Sequence, residues 1–128
     1  MITTANKLSE AVGQLWEIHS DRVHEYDMVL GTFEGAGYNL TFIECGDKNV
    51  THHHEGYDAT LWFISGKGKV RVDDVFLEYG VGSCFKVPRK TVHQIICETD
   101  TLMLTIQTPA TTFGDKGWDD IVFDEPLF

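Results

Sequence analysis

Cations are scarce in this sequence. Ten Lys and Arg against twenty Asp and Glu leave a formal net charge of −10, and such a surface repels nucleic-acid phosphates and anionic membranes alike. Long apolar runs are missing as well: no segment nears the roughly 20 residues needed to span a bilayer. The opening Met-Ile-Thr-Thr-Ala-Asn-Lys lacks the apolar stretch of a secretory signal. The expectation is a soluble, cytoplasmic chain with neither nucleic acid nor membrane as partner. Cysteine is sparse and badly spaced for cross-links. Cys45, Cys84 and Cys97 are odd in number and form no Cys-x-x-Cys pair, which excludes a disulfide framework and a zinc knuckle and predicts reduced thiols. Internal repeats, low-complexity tracts and linkers are also missing, so 128 residues at 42 % apolar content read as one domain with one core.

What is present begins with Leu8, Val12, Leu15 and Ile18, whose spacing predicts a short amphipathic helix over residues 3–18 within a lead-in of residues 1–30. After Gly31 the pattern changes to short segments rich in β-branched and aromatic residues. Glycine-bearing or acidic turns separate them: Gly35 to Gly37, Gly46-Asp47, Gly66 to Gly68, Asp73-Asp74 and Gly80 to Gly82. Many short strands at regular intervals predict an all-β antiparallel sandwich or barrel over residues 31–110. The acidic tail, residues 111–128, carries Phe113, Trp118, Ile121, Val122, Phe123 and Phe128, apolar enough to dock on the barrel.

Three of the six histidines are consecutive, His52-His53-His54. Side chains alternate along a strand, so His52 and His54 share one face and His53 takes the other. Two neutral imidazoles at this spacing make half of a mononuclear metal site. Some forty residues on, the segment Gly-Ser-Cys-Phe-Lys-Val-Pro-Arg-Lys-Thr-Val-His supplies His93 after a proline-containing turn. The run is internal and flanked by strand sequence, unlike an expression tag. His19 and His24 show no partner at metal spacing and read as packing or surface residues. Cys45 and Cys84 have nothing to separate them from core residues.

These residues resemble the two motifs of the cupin superfamily. The first motif, Gly-x5-His-x-His-x3 or x4-Glu-x6-Gly, is met by Gly46, His52, His54 and Gly66; the second, Gly-x5-Pro-x-Gly-x2-His-x3-Asn, is met by Gly82, Pro88 and His93. The resemblance covers residues 46–97. It implies a jelly-roll barrel holding one divalent metal ion, with His52, His54 and His93 as ligands. Iron(II) is the favoured ion; zinc, nickel and manganese are the others considered.

The sequence departs from the motifs at three places. Counting back from Gly66 puts Ala59 where the glutamate belongs, whereas counting on from His54 puts Asp58 there. Asp58 is thus a candidate fourth ligand, although the register set by Gly66 favours Ala59 and a three-histidine site. Lys90 replaces a turn glycine and Cys97 replaces the asparagine. Alternation puts His93, Ile95 and Cys97 on one face, aiming the thiol inward. Tyr57, Asp58 and Cys97 are therefore candidate catalytic residues. Arg89 and Lys90, with Lys86 nearby, are candidates for holding an anionic group on the substrate.

The resemblance implies a metal-dependent enzyme acting on a small organic substrate, with an iron(II) oxygenase of the three-histidine kind as the leading reading. The alternative is a non-redox isomerase, epimerase, lyase or cyclase, and the third reading is a binding module without turnover. Open sheet edges and the apolar tail predict self-association, and the resemblance implies a homodimer.

Overall fold

The computed structural model describes residues 15–20, 22–47, 49–111, 113–114, 117–118 and 120–124. They form thirteen short strands and no helix. Ten of the strands build the body of the fold: β1 (Leu15–His19), β2 (His24–Phe33), β3 (Ala36–Ile43), β4 (His52–His53), β5 (Asp58–Ser65), β6 (Gly68–Val72), β7 (Val75–Tyr79), β8 (Cys84–Val87), β9 (His93–Cys97) and β10 (Thr101–Thr108). Three two-residue strands follow, β11 (Phe113–Gly114), β12 (Gly117–Trp118) and β13 (Val122–Phe123). Two antiparallel sheets result, ordered β1-β2-β3-β10-β5-β8 and β13-β4-β9-β6-β7, with β11 and β12 pairing separately. This is an all-β jelly roll. No helix among the described residues is long and apolar enough to cross a membrane.

The two sheets enclose one core because alternate residues of each strand turn inward. On β5 the inward set is Ala59, Leu61 and Phe63, and β6, β7, β8, β9 and β10 add Val70, Tyr79, Val87, Ile95 and Met103. Phe63 is fully buried and stacks on Tyr79 at 3.9 Å between ring centroids. The Tyr79 hydroxyl, buried at the end of that stack, lies 2.7 Å from the Thr101 hydroxyl. Gly68 sits so close to the Ile96 carbonyl and the Tyr79 ring that any Cβ there would collide with both, which makes glycine obligatory at this crossing.

Two expectations are corrected here. Residues 15–18, read as the end of a helix, belong to β1, which pairs with β2 from Leu15↔Met28 to His19↔His24; the rest of that segment lies outside the described residues. Ladder hydrogen bonds and burial of Ile18 outweigh a helical spacing carried by a few apolar residues. The barrel also starts before residue 31, since β2 is hydrogen-bonded to both β1 and β3. Cys45 and Cys84 are exposed rather than in the core, and all three cysteines are free thiols.

Candidate metal centre

β4 is only two residues long, yet it fixes the site. His52 is the direct cross-strand partner of His93 on β9, and residues directly opposite on one face have neighbouring Cβ atoms. The two rings meet edge to face with centroids 4.3 Å apart, and His54, two residues on and turned the same way, stands 5.3 Å from His52 and 5.2 Å from His93. One ligand atom from each of the three lies within 4.8 Å of the others, and all three side chains are buried.

Each ring is held through Nδ1 by a main-chain carbonyl. His52 Nδ1 is 2.8 Å from the Val50 oxygen, His93 Nδ1 is 3.0 Å from the Thr91 oxygen, and His54 Nδ1 is 2.6 Å from the Asp120 oxygen. A carbonyl only accepts, so the proton sits on Nδ1 in each case and Nε2 keeps its lone pair. Burial also keeps the rings neutral: it is the main cause that holds His54 down at about 4, His52 well below its ordinary value, and His93 below it too. Three buried, neutral imidazoles with fixed tautomers and free Nε2 atoms fit a divalent transition-metal ion.

The cavity beside the histidines is lined by apolar groups, among them Ile18, Leu61, Met103, Ile121 and Phe123, and by the polar Glu25, Thr41, Asn49, Tyr57 and Thr105. Tyr57 stacks on His54 at 4.4 Å, and its hydroxyl oxygen is 2.7 Å from His54 Nδ1, sharing the N–H that also faces Asp120. Burial raises the Tyr57 phenol above its ordinary range, so it stays protonated at neutral pH.

The remaining sequence candidates lie elsewhere. Asp58 is on the outward face of β5 and exposed, where its Oδ1 accepts from the Arg89 main-chain N–H at 2.9 Å and Nε at 3.1 Å. That pairing holds its carboxyl below the usual range. Inward-facing Ala59, 2 % exposed, lines the cavity instead. A one-residue offset on a strand reverses the face, so the carboxylate cannot join the three histidines. Cys97 packs at the far end of β9, opposite Gly68, outside the cavity lining. Arg89 and Lys90 are exposed, and among the described residues neither a lysine nor an arginine lines the cavity. Lys90 adopts φ +68°, the conformation for which glycine is favoured, and its N–H donates to the His54 carbonyl at 2.6 Å. This contact pins the turn behind His54.

Sequence reasoning missed the carboxyl groups of β2. Glu25 and Asp27 alternate onto the inward face, and Asp27 is fully buried, accepting at Oδ1 from Asn39 Nδ2 at 2.5 Å and from the Thr41 hydroxyl at 2.8 Å. The available signal was two acids at i, i+2 in a strand otherwise rich in apolar residues. It also missed the role of the tail. β13 pairs with β4, Asp120 accepts from the N–H groups of Glu55 at 2.9 Å and Gly56 at 2.6 Å, and Asp124 meets His53 Nδ1. His19 and His24, read as having no partner at metal spacing, bring their ligand atoms within 4.8 Å of one another and of Glu17 on the surface; their rings stack at 4.2 Å, and His24 bridges Glu17 at 2.9 Å and Asp47 at 3.0 Å.

A two-sheet jelly roll whose inner face gathers three neutral histidines able to hold a metal ion is the cupin arrangement. The chain belongs to the cupin family: the family described as Cupin domain matches residues 39–107. Solved structures with the same fold include KdgF from Halomonas sp., at 18 % identity over 74 % of this chain and 87 % of that one, with a TM-score of 0.64. An RmlC-like cupin from Shewanella frigidimarina shares 21 % identity over 74 % and 85 %, also with a TM-score of 0.64. Pac13, described as a nucleoside dehydratase, shares 17 % over 88 % and 87 %, with a TM-score of 0.66; related Pac13 structures are from Streptomyces. At these identities the likeness shows the fold. No curated protein matches the chain.

Proposed function

We propose that this chain is a metal-dependent cupin enzyme acting on a small organic substrate, with His52, His54 and His93 as the ligands of one divalent ion and iron(II)-dependent oxygenation as its reaction. The observation that carries the reading is the donor set: three neutral imidazoles with Ala59 in place of the motif's glutamate. When bound there, the ion keeps its full double charge, with positions left for substrate oxygen atoms and the capacity for Lewis-acid or redox chemistry. The residues around it divide the remaining work. Ile18, Leu61, Met103, Ile121 and Phe123 exclude water, while Thr41, Asn49, Thr105 and Tyr57 offer hydrogen-bonding groups. With neither lysine nor arginine among the described lining residues, a substrate recognised through hydroxyl and carbonyl oxygens fits better than one held as a carboxylate or phosphate.

Glu25 in the cavity favours a second reading, a non-redox lyase or isomerase in which a side chain moves the proton. The likeness to Pac13, described as a nucleoside dehydratase, points the same way. One experiment separates the two. Freshly purified protein is analysed for metals beside a His54→Ala variant, then reconstituted anaerobically with iron(II) or zinc and incubated with a panel of small hydroxylated and carbonyl compounds. The leading reading expects one ion per chain, its loss in the variant, and oxygen uptake with iron only. Turnover with zinc in the absence of oxygen supports the second reading, and equal metal content in both proteins removes the shared one.

A further inference from the structure

The acidic pair of β2 is costly and has no structural counterpart. Glu25 lines the cavity with the three histidines and is half-buried. Asp27, on the same face two residues on, is fully buried. Among the described residues neither carboxyl forms a salt bridge, and Asp27 Oδ2 receives no N–H or hydroxyl donor. A fully buried carboxylate beside a half-buried one, with no cationic side chain paired to either among the described residues, is costly when both are ionised, which favours a shared proton. The donors divide the roles. Asn39 and Thr41 both give hydrogen bonds to Asp27, which suits an anion, so the proton belongs to Glu25 and its O–H supplies the donor that Asp27 otherwise lacks.

We propose that Glu25, braced by Asp27, is the proton donor of this site, delivering its proton to a hydroxyl or carbonyl oxygen of the substrate held at the three histidines. The inference rests on the reading of the site as a metal centre for a small substrate and adds the substrate atom that must face β2. In the step, the Glu25 O–H bond breaks and its electron pair stays on the carboxylate, while a lone pair of the substrate oxygen forms the new O–H bond. Neither oxidant nor reductant is required. Asp27 ensures recovery, because a second negative charge beside it makes the ionised Glu25 a strong acceptor for a proton from solvent. Burial and the neighbouring Asp27 raise the Glu25 carboxyl well above its ordinary value. Among the described residues, the other titratable groups lining the cavity are His52, His54, His93 and Tyr57, all kept neutral by burial. On β1, Ile18 stands opposite Glu25, and β3 offers only Thr41 and Asn39 to the pair.

The test uses the full chain loaded with zinc, its glutamate side-chain carboxyls labelled with carbon-13 and followed by NMR. One glutamate resonance should titrate well above the ordinary 4.5, vanish in Glu25→Gln, and titrate lower in Asp27→Asn. Replacing zinc with paramagnetic cobalt(II) should broaden or shift that same resonance. A Glu25 resonance that titrates near the ordinary 4.5, or that cobalt leaves untouched, overturns the proposal. Failure of the protein to hold either ion instead defeats the metal reading, and the titration still decides the acid pair. For whichever compound is turned over, Glu25→Gln should lower kcat by about 100-fold or more with KM little changed. An unchanged kcat refutes the donor role.

Discussion

At the scale of single residues, the site is made by carbonyls as much as by histidines. Val50, Thr91 and Asp120 each accept one Nδ1–H and so choose the tautomer that leaves Nε2 for the ion. The acid pair makes a prediction of its own. A carboxyl whose folded-state value is raised holds its proton after the unfolded chain has released it, so stability falls as pH rises from about 4.5, the ordinary glutamate value, toward the raised one. Glu25→Gln should therefore flatten the decline of melting temperature above pH 4.5, and a parallel decline in wild type and variant would contradict the shared-proton reading. In the core, Phe63 is fully buried and stacked on Tyr79. Phe63→Ala should cost roughly 3–5 kcal/mol of unfolding free energy in urea titrations; a cost below about 1 kcal/mol would mean that the core collapses around the gap.

At the scale of elements, two short pieces do work out of proportion to their length. The strap of residues 120–124 joins the edge of β4, closes the Glu55–Gly56 turn through the Asp120 carboxylate and orients His54 through the Asp120 carbonyl. Asp120→Ala removes two charged hydrogen bonds and should cost roughly 1–3 kcal/mol. Deleting residues 120–128 should weaken zinc binding about 10- to 100-fold, measured by competition with a chelator, because His54 loses its orienting carbonyl. Undiminished affinity in the truncated chain would deny the strap that role. The β1–β2 hairpin is tied by His24 between Glu17 and Asp47. The hydrogen bond to Glu17, then that to Asp47, raises His24 above its ordinary 6.5, and His24 in turn lowers Glu17 below 4.5. The raised histidine contributes stability in full below pH 6.5 and loses it as pH climbs through the folded value. The depressed glutamate contributes above pH 4.5 and loses it as pH falls through its own. The clamp is thus strongest between about pH 4.5 and 6.5. The difference in melting temperature between wild type and His24→Asn should peak in that window and shrink by pH 8.5.

At the scale of the whole molecule, the six-stranded sheet presents an apolar outer face. Trp62 on β5 lies beside Leu104 on β10, which lies beside Leu40 on β3 and then Met28 on β2; Trp62 and Ile64 are 49 % and 45 % exposed. The other sheet carries the histidines on its inner side, so association through this outer face leaves the cavity free. We propose that two copies pair here, because a contiguous apolar face of this kind on an acidic chain is best covered by its own equivalent. Trp62→Glu should turn a dimer into a monomer in sedimentation analysis while leaving metal content unchanged. A wild-type chain that sediments as a monomer at micromolar concentration would refute the pairing.

How much of this was legible depended on whether the signal was local. Period-two alternation and glycine-bearing turns spell out an all-β chain, and His52 and His54 share a face by backbone geometry alone. The match of His93 to them could be read from motif spacing, because two short motifs record a fixed barrel. Between Asp58 and Ala59 the sequence left both positions open. A single-residue offset decides which way a side chain faces, and only the ladder of β5 against β10 and β8 fixes it. The strand at residues 15–19 was hidden because a five-residue segment has too little periodicity to outweigh pairing with β2. The carboxyls of Glu25 and Asp27 were hidden for a related reason: acids in a short strand look like solvent-facing residues until the opposite sheet closes over them. The sequence alone determined the all-β pattern after residue 31 and the histidines that share a face, since both follow from chemistry within a few residues. Tertiary structure decided which groups share the cavity, because convergence depends on sheets meeting across residues far apart in the chain.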